Sequence, residues 1–287
     1  MAIKVIRAVT AGDMPEHILS LSYGKDSMAC FGACELLGWP IDRVVTAEVW
    51  ATDTIPADLP PMVEFKAKAD KIIKERWGIE VEHVCVRDFD GRKWTYERNL
   101  YKKVKDDTMT KRKANPNWFN RGIVDIYGFP SRKGPWCNKL KFRGSEGWRG
   151  AVTYAGIAAD ETKRIERWTG RMEMPLVEIG WTEADCRQWC EENGLLSPIY
   201  TTATRGGCWF CHNQRVGQLR LLRKNYPELW ALMLKWDKDS PVTFHADGNT
   251  VHDFDRRFQL EDDGLIYPDD KVFRWAMLDE ELNFRWF

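Results

Sequence analysis

The chain has 287 residues, 44% hydrophobic and 30% charged, so it can bury a full core and is too apolar for a disordered segment. Lys plus Arg and Asp plus Glu both total 43, which excludes the global basic field of a general nucleic-acid binder and leaves only a local basic patch open. No apolar run approaches the ~18 residues of a membrane-spanning helix, Met1 to Met14 lack a secretory h-region, and eight cysteines are too few for a disulfide scaffold, so a cytoplasmic protein is expected.

Residues 1–16 carry little pattern. Ile18-Leu19-Ser20-Leu21 reads as a strand, Ser22-Tyr23-Gly24-Lys25-Asp26-Ser27 as a tight polar turn, and Met28 to Leu37 as a helix. That order makes an anion site, because the N–H groups of the turn and the positive end of the helix converge on one point. Gly24 lets the backbone approach the anion, Lys25 supplies a cation, and Ser22 and Ser27 supply hydroxyls. The spacing of a Walker A loop is absent. An ordinary turn with a Ser or Asp cap is the plain alternative.

Arg43 to Trp50 is β-branched and apolar and predicts a buried second strand. Pro56 to Pro61 punctuate the chain, Met62 to Trp77 has a roughly helical pattern, and Ile79 to Val86 suggests a third strand. Strands alternating with helices predict an α/β fold with a doubly wound, mainly parallel sheet. Ligands bind such sheets at the carboxyl ends of strands, near a topological switch. Residues 87–135 are charged, aromatic and poorly periodic. Lys102-Lys103-Val104-Lys105 and Lys111-Arg112-Lys113 read as a solvated face, or as a lid or contact surface for a phosphate-bearing substrate.

Ala151 to Ile157 reads as a fourth strand, and Thr182 to Asn193 as a helix with Thr182 as N-cap and Gly194 as stop. Gln218 to Trp236 is helical with a break at Tyr226-Pro227. Pro241 to Phe287 is a mixed packing segment with turns at Asp247-Gly248-Asn249 and Asp263-Gly264. The expected division is an α/β domain over residues 1–180 and a cysteine-rich, partly helical extension over 181–287. Most of the 15 tryptophans are expected in the core, with one or two free to stack on a base.

Gly206-Gly207-Cys208-Trp209-Phe210-Cys211 is the second motif. A C-x-x-C turn lets two thiolates reach one metal, and the glycines relieve crowding around it. Two more ligands complete a tetrahedral site. Cys137 follows a Gly-Pro turn, and Cys186 and Cys190 share one face of a predicted helix. The best set is Cys137, Cys190, Cys208 and Cys211, with Cys186 and His212 in reserve. Four thiolates suit zinc or an iron–sulfur cluster. A redox dithiol at Cys208 and Cys211, or buried unliganded thiols, are the other readings. Cys30, Cys34 and Cys85 lie in apolar patterns and read as core.

Taken with Cys137 and the C-x-x-C pair, the polar turn resembles the PP-loop, S-G-G-x-D-S, of the phosphoadenylylsulfate (PAPS) reductase and ATP pyrophosphatase superfamily of adenine nucleotide α-hydrolases, with Tyr23 in place of the first glycine. Trp136-Cys137-Asn138-Lys139-Leu140-Lys141 is similar to the family's W-C-x-x-x-K-like element, and residues 205–211 to its R-x-G-C-x-x-C. The run from Gly156 to Arg164 is similar to its G-I-R-x-x-E-S-x-R, with Ala158 in place of the arginine. The matched elements span roughly residues 17–215, in the family's order.

The resemblance implies a nucleotide, ATP or a related adenine nucleotide, whose phosphates rest on Ser22, Tyr23, Gly24, Lys25, Asp26 and Ser27, with Gly156 and Glu161 beside them. It implies catalytic roles for Lys25, Asp26, Lys141 and Arg164, a Mg²⁺ ion that Asp26 helps to hold, and a 4Fe-4S cluster or zinc on the cysteines. The family's reductases end in a tail with a nucleophilic cysteine, whereas this sequence has no cysteine after Cys211. The expectation is therefore cleavage of ATP to AMP and pyrophosphate, adenylylating an acceptor, with sulfur transfer as one outcome. The acceptor is a nucleic acid or a small molecule, served by a sulfur donor or partner protein where sulfur moves, and no membrane partner is expected. The alternatives are a PAPS or adenylylsulfate reductase, and a non-catalytic nucleotide-binding module with structural zinc.

Overall fold

The computed structural model describes residues 15–104, 125–130, 136–142, 150–167, 172–202, 207–245, 247–268, 271–276 and 278. Strand β1 (His17–Ser20) leads into helix α1 (Lys25–Leu37), then β2 (Arg43–Glu48), α2 (Pro60–Trp77), β3 (Val81–Cys85) and α3 (Tyr96–Leu100). A 3-10 turn (Trp136–Asn138) runs into α4 (Lys139–Phe142), followed by β4 (Val152–Tyr154), the short α5 (Thr162–Ile165) and α6 (Pro175–Glu178), and α7 (Glu183–Glu192). The remaining helices are α8 (Ile199–Thr202), α9 (Val216–Asn225), α10 (Pro227–Asp239) and α11 (Val251–Asp262).

The chain is α/β. Its four strands pair in parallel in the order β3-β2-β1-β4, with Leu19 of β1 level with Val44 of β2 and Tyr154 of β4. β1 is flanked on both sides, and Ile18 and Leu19 are fully buried. The path from β1 runs outward through β2 to β3, then returns to place β4 on the other side of β1. That reversal is a topological switch between β1 and β4, and open α/β sheets bind ligands at the carboxyl ends of strands at such a switch.

Two compact units divide the residues. One comprises Met1–Glu48, Asp58–Cys85 and Lys141–Gly206; the other comprises Val49–Ala57, Val86–Leu140 and Gly207–Phe287. Both are discontinuous, and neither ends at the 180/181 boundary read from the sequence. The first unit holds the sheet. Residues 27–34 of α1 are buried without a break, which explains why Met28, Ala29, Cys30, Phe31, Ala33 and Cys34 show no polar face. α1 packs on α6 and α7, and its side chains join Leu19, Val44, Phe65, Ile73, Cys186 and Cys190 in one core.

The second unit is built on aromatic rings. Tyr96 lies 4.2 Å from Phe210, 4.8 Å from Trp136 and 5.3 Å from Trp236, and Trp209 stacks on Trp236 at 5.7 Å. The buried indoles keep partners for their N–H groups: Trp209 donates to the Pro56 carbonyl at 2.9 Å and Trp236 to Glu97 at 3.0 Å. Among the described residues no helix is long and apolar enough to cross a membrane.

Candidate functional site

The 22–27 loop is closed by its own serines. The Ser27 hydroxyl accepts from the Ser22 N–H at 3.2 Å and donates to the Gly24 carbonyl at 3.0 Å, and the two serine hydroxyls meet at 2.9 Å. Gly24 occupies the N-cap of α1 in extended conformation and has no side chain with which to cap the first amides of the helix. The Lys25 N–H donates to the Tyr200 hydroxyl at 2.9 Å. The Lys25 ammonium reaches Asp26 at 2.7 Å and Glu183 at 2.9 Å. Burial pulls the lysine pKa down, but those two carboxylates outweigh burial and hold it above the ordinary value. Burial raises the Asp26 carboxyl, with Glu161 and Glu183 adding to the rise against the opposing pull of Lys25. Lys25 moves up because two carboxylates hold its proton, and Asp26 moves up because burial outweighs the pull of that one ammonium.

The turn after β4 packs against the loop. A Cβ built on Gly156 would stand 2.5 Å from the Ser27 nitrogen, 2.6 Å from its Cα and 2.8 Å from the Asp26 carbonyl carbon. Only glycine lets this backbone lie against the first turn of α1. Glu161 accepts from the Ala158 N–H at 3.1 Å and pairs with Arg164 at 2.7 Å. Ala158 is fully buried. The position that holds arginine in the resembled family is therefore a core position here. Asp160 accepts from the Glu183 N–H at 3.0 Å, tying this turn to α7. Lys141 lies on α4, and its side chain falls outside the described residues.

Tyr23 carries a φ of 56°, the left-handed region that favours glycine, and its side chain is fully buried. Its hydroxyl donates to Asp70 and lies 3.3 Å from His83 Nε2. His83 in turn bonds Asp70 at 2.9 Å and Glu48 at 2.8 Å. Bonds to Asp70, then Glu48, raise the imidazole to about 9.

Cys190 is buried on α7 within the sheet-bearing unit, and its thiol donates to the Lys25 carbonyl at 3.3 Å. Cys30 donates to the neighbouring Asp26 carbonyl at 3.3 Å. Cys137, Cys208 and Cys211 belong to the aromatic unit. The C-x-x-C turn is closed by the Cys211 N–H on the Cys208 carbonyl at 3.0 Å and braced by Gln214 on the same carbonyl at 3.0 Å. Gly207 enters it at φ 146°, outside the usual range of other residues. Trp209 and Phe210, the middle residues, are buried in the ring cluster, so the turn is anchored through the residues between its thiols.

The Tyr96 hydroxyl is the buried side-chain polar atom among the described residues that lacks a hydrogen-bond partner. After burial, the charges that act on it are those of Cys137, Cys211 and Cys208. Cys137, Cys208 and Cys211 are a soft donor set of the kind that suits zinc or iron–sulfur. Among the described residues no group of three or more His, Cys, Asp or Glu side chains is gathered to hold a metal ion. Burial, and then His245, hold the His212 imidazole, next to Cys211 in the chain, below its ordinary pKa.

Tyr200, Asp70, His83 and Tyr96 were not among the residues singled out from the sequence. Nothing local marks them, since each reaches its site from a distant element. Arg205 and the basic run 111–113 lie outside the described residues. No protein-family model matches the chain, and no curated protein matches it in sequence.

Proposed function

We propose that this protein is an adenine nucleotide α-hydrolase of the PAPS reductase and ATP pyrophosphatase type. In this reading it cleaves ATP to AMP and pyrophosphate and adenylylates an acceptor. The observation that carries the proposal is the packing of the glycine-dependent turn at Gly156 onto the 22–27 loop, at the carboxyl ends of two adjacent parallel strands. Phosphates bind where a helix N-terminus, loop amides and a lysine converge. Here an ATP phosphate takes the place of the serine and Tyr200 hydroxyls on the loop amides and of the carboxylates that hold Lys25.

An acceptor oxygen attacks the α-phosphorus, the bond from that phosphorus to the bridging oxygen breaks, and pyrophosphate leaves with the electron pair. Lys25 and the α1 amides stabilise the charge that develops on the leaving group. Mg²⁺, when bound, adds charge neutralisation to the phosphates, and Asp26 and Glu161 are the nearby carboxylates suited to it. Cys137, Cys208 and Cys211 would hold zinc or an iron–sulfur cluster; sulfur transfer to the adenylylated acceptor is the use such a cluster would serve. The acceptor is a nucleic acid or a small molecule.

The test is pyrophosphate release from ATP. Lys25→Ala and Asp26→Ala are expected to lower it by about 10²-fold or more, the scale for removing one preorganised electrostatic contact. Release that is the same in both variants as in the parent protein sinks the reading.

A further inference from the structure

Tyr23 pairs a strained backbone with a buried polar side chain. A non-glycine residue in the left-handed region is disfavoured by the crowding of its Cβ, and a phenol taken out of water needs a partner for its hydroxyl. Tyr23 has that partner in Asp70 of α2. Asp70 is fixed at its second oxygen by His83 of β3, and His83 is held at its other nitrogen by Glu48 of β2. Lys66 of α2 lies over the Tyr23 ring at 5.1 Å and is itself paired with Asp58 at 2.6 Å. Two strands and a helix thus converge on a single side chain of the loop. We propose that Tyr23, Asp70 and His83 form a latch that holds the 22–27 loop in its nucleotide-receptive shape, making Tyr23 and His83 positioning residues. The proposal rests on the nucleotide-binding reading above.

The latch ties the loop to a charge. With both ring nitrogens protonated, His83 donates to Asp70 and to Glu48 together. Loss of one proton leaves one of those carboxylates without its imidazole donor. The groups facing the imidazole are Asp70 from α2, Glu48 from β2 and the Tyr23 phenol from the loop, with the Lys66–Asp58 pair behind the phenol. Burial and then Asp70 keep the phenol protonated well beyond the range where His83 titrates. The loop should therefore loosen as pH rises through about 9.

ATP affinity, measured by calorimetric titration near neutrality and at about pH 10, above the ordinary range for histidine, tests this in the intact chain and in Tyr23→Phe. That variant keeps the ring and its packing and loses the donor. The intact chain is expected to bind about tenfold more weakly at the higher pH, the size of one hydrogen bond to a charged group. Tyr23→Phe should bind near neutrality about as weakly as the intact chain at high pH, and change little between the two. His83→Gln should show the same flat profile with Tyr23 in place. A loss of melting temperature in either variant with the parent pH profile retained overturns the latch and leaves the nucleotide reading standing. Absence of ATP binding by the intact chain at both pH values removes the nucleotide reading, and the latch with it.

Discussion

Gly156 and Tyr23 show two ways in which single residues define the loop. Gly156 acts by absence. Its missing Cβ is what allows the turn after β4 to touch backbone atoms of Ser27 and Asp26, which have no side-chain freedom with which to retreat. Gly156→Ala is therefore an overpacking substitution against main chain, with an expected loss of about 1–3 kcal/mol. Urea unfolding measures it, and a midpoint equal to that of the parent would mean that the turn shifts away freely. Tyr23 acts by presence. In the sequence it looks like a blemish in a glycine-rich pattern, yet its conformation is the one a glycine would adopt. The sequence shows the departure, but the side chains that compensate for it, Asp70 and His83, lie 47 and 60 positions away. No local pattern connects them.

At the scale of elements, legibility follows how local the determining physics is. The helix at Glu183–Glu192 was readable because its stop and its Thr182–Asp185 capping box lie within the segment. The same box, Thr250 with Asp253, starts Val251–Asp262 inside a tail read as mixed packing. There the turn signal at Asp247-Gly248-Asn249 drew the reading away from the cap that follows it. Tyr226 separates α9 from α10 where Pro227 predicts a break, since proline tolerates the first turn of a helix but not its interior. Cys190 joins the C-x-x-C in the sequence reading on residue type and helix face, whereas its bond to the Lys25 carbonyl is a tertiary fact. The turn carrying Cys208 and Cys211 accordingly makes a distinct prediction. Protein prepared without oxygen should contain zinc, or iron with sulfide, and Cys208→Ser should lose it while Cys190→Ser retains it. A metal-free parent preparation would remove the metal from this reading, and loss of metal in Cys190→Ser would return Cys190 to the ligand set.

At the scale of the whole molecule, the shifted groups set how stability depends on pH. A group stabilises the fold wherever the folded state holds its favoured protonation state more tightly than the unfolded chain does. The Asp42 carboxyl is lowered by the His17 N–H, and that of Glu82 by Arg43, so their contributions are complete above the ordinary carboxylate range and fade as pH falls through it. Asp26 opposes them, because its raised carboxyl keeps its proton longer in the fold. The His212 imidazole is lowered by burial, so it costs stability only below its ordinary value of 6.5. His83 has the reverse sign: its contribution is full below 6.5, declines as pH rises and is gone above about 9. Beyond that the buried thiols take over. Burial raises Cys34, Cys186 and Cys190 from 9.0 to about 12, so the unfolded chain ionises where the fold does not, and stability falls further. Urea midpoints followed from acid to alkaline pH should therefore peak near the ordinary histidine value and descend in two stages. His83→Gln should abolish the first stage and keep the second, because the thiols are untouched. If the parent and His83→Gln descend in parallel below about pH 9, the first stage does not originate in this imidazole.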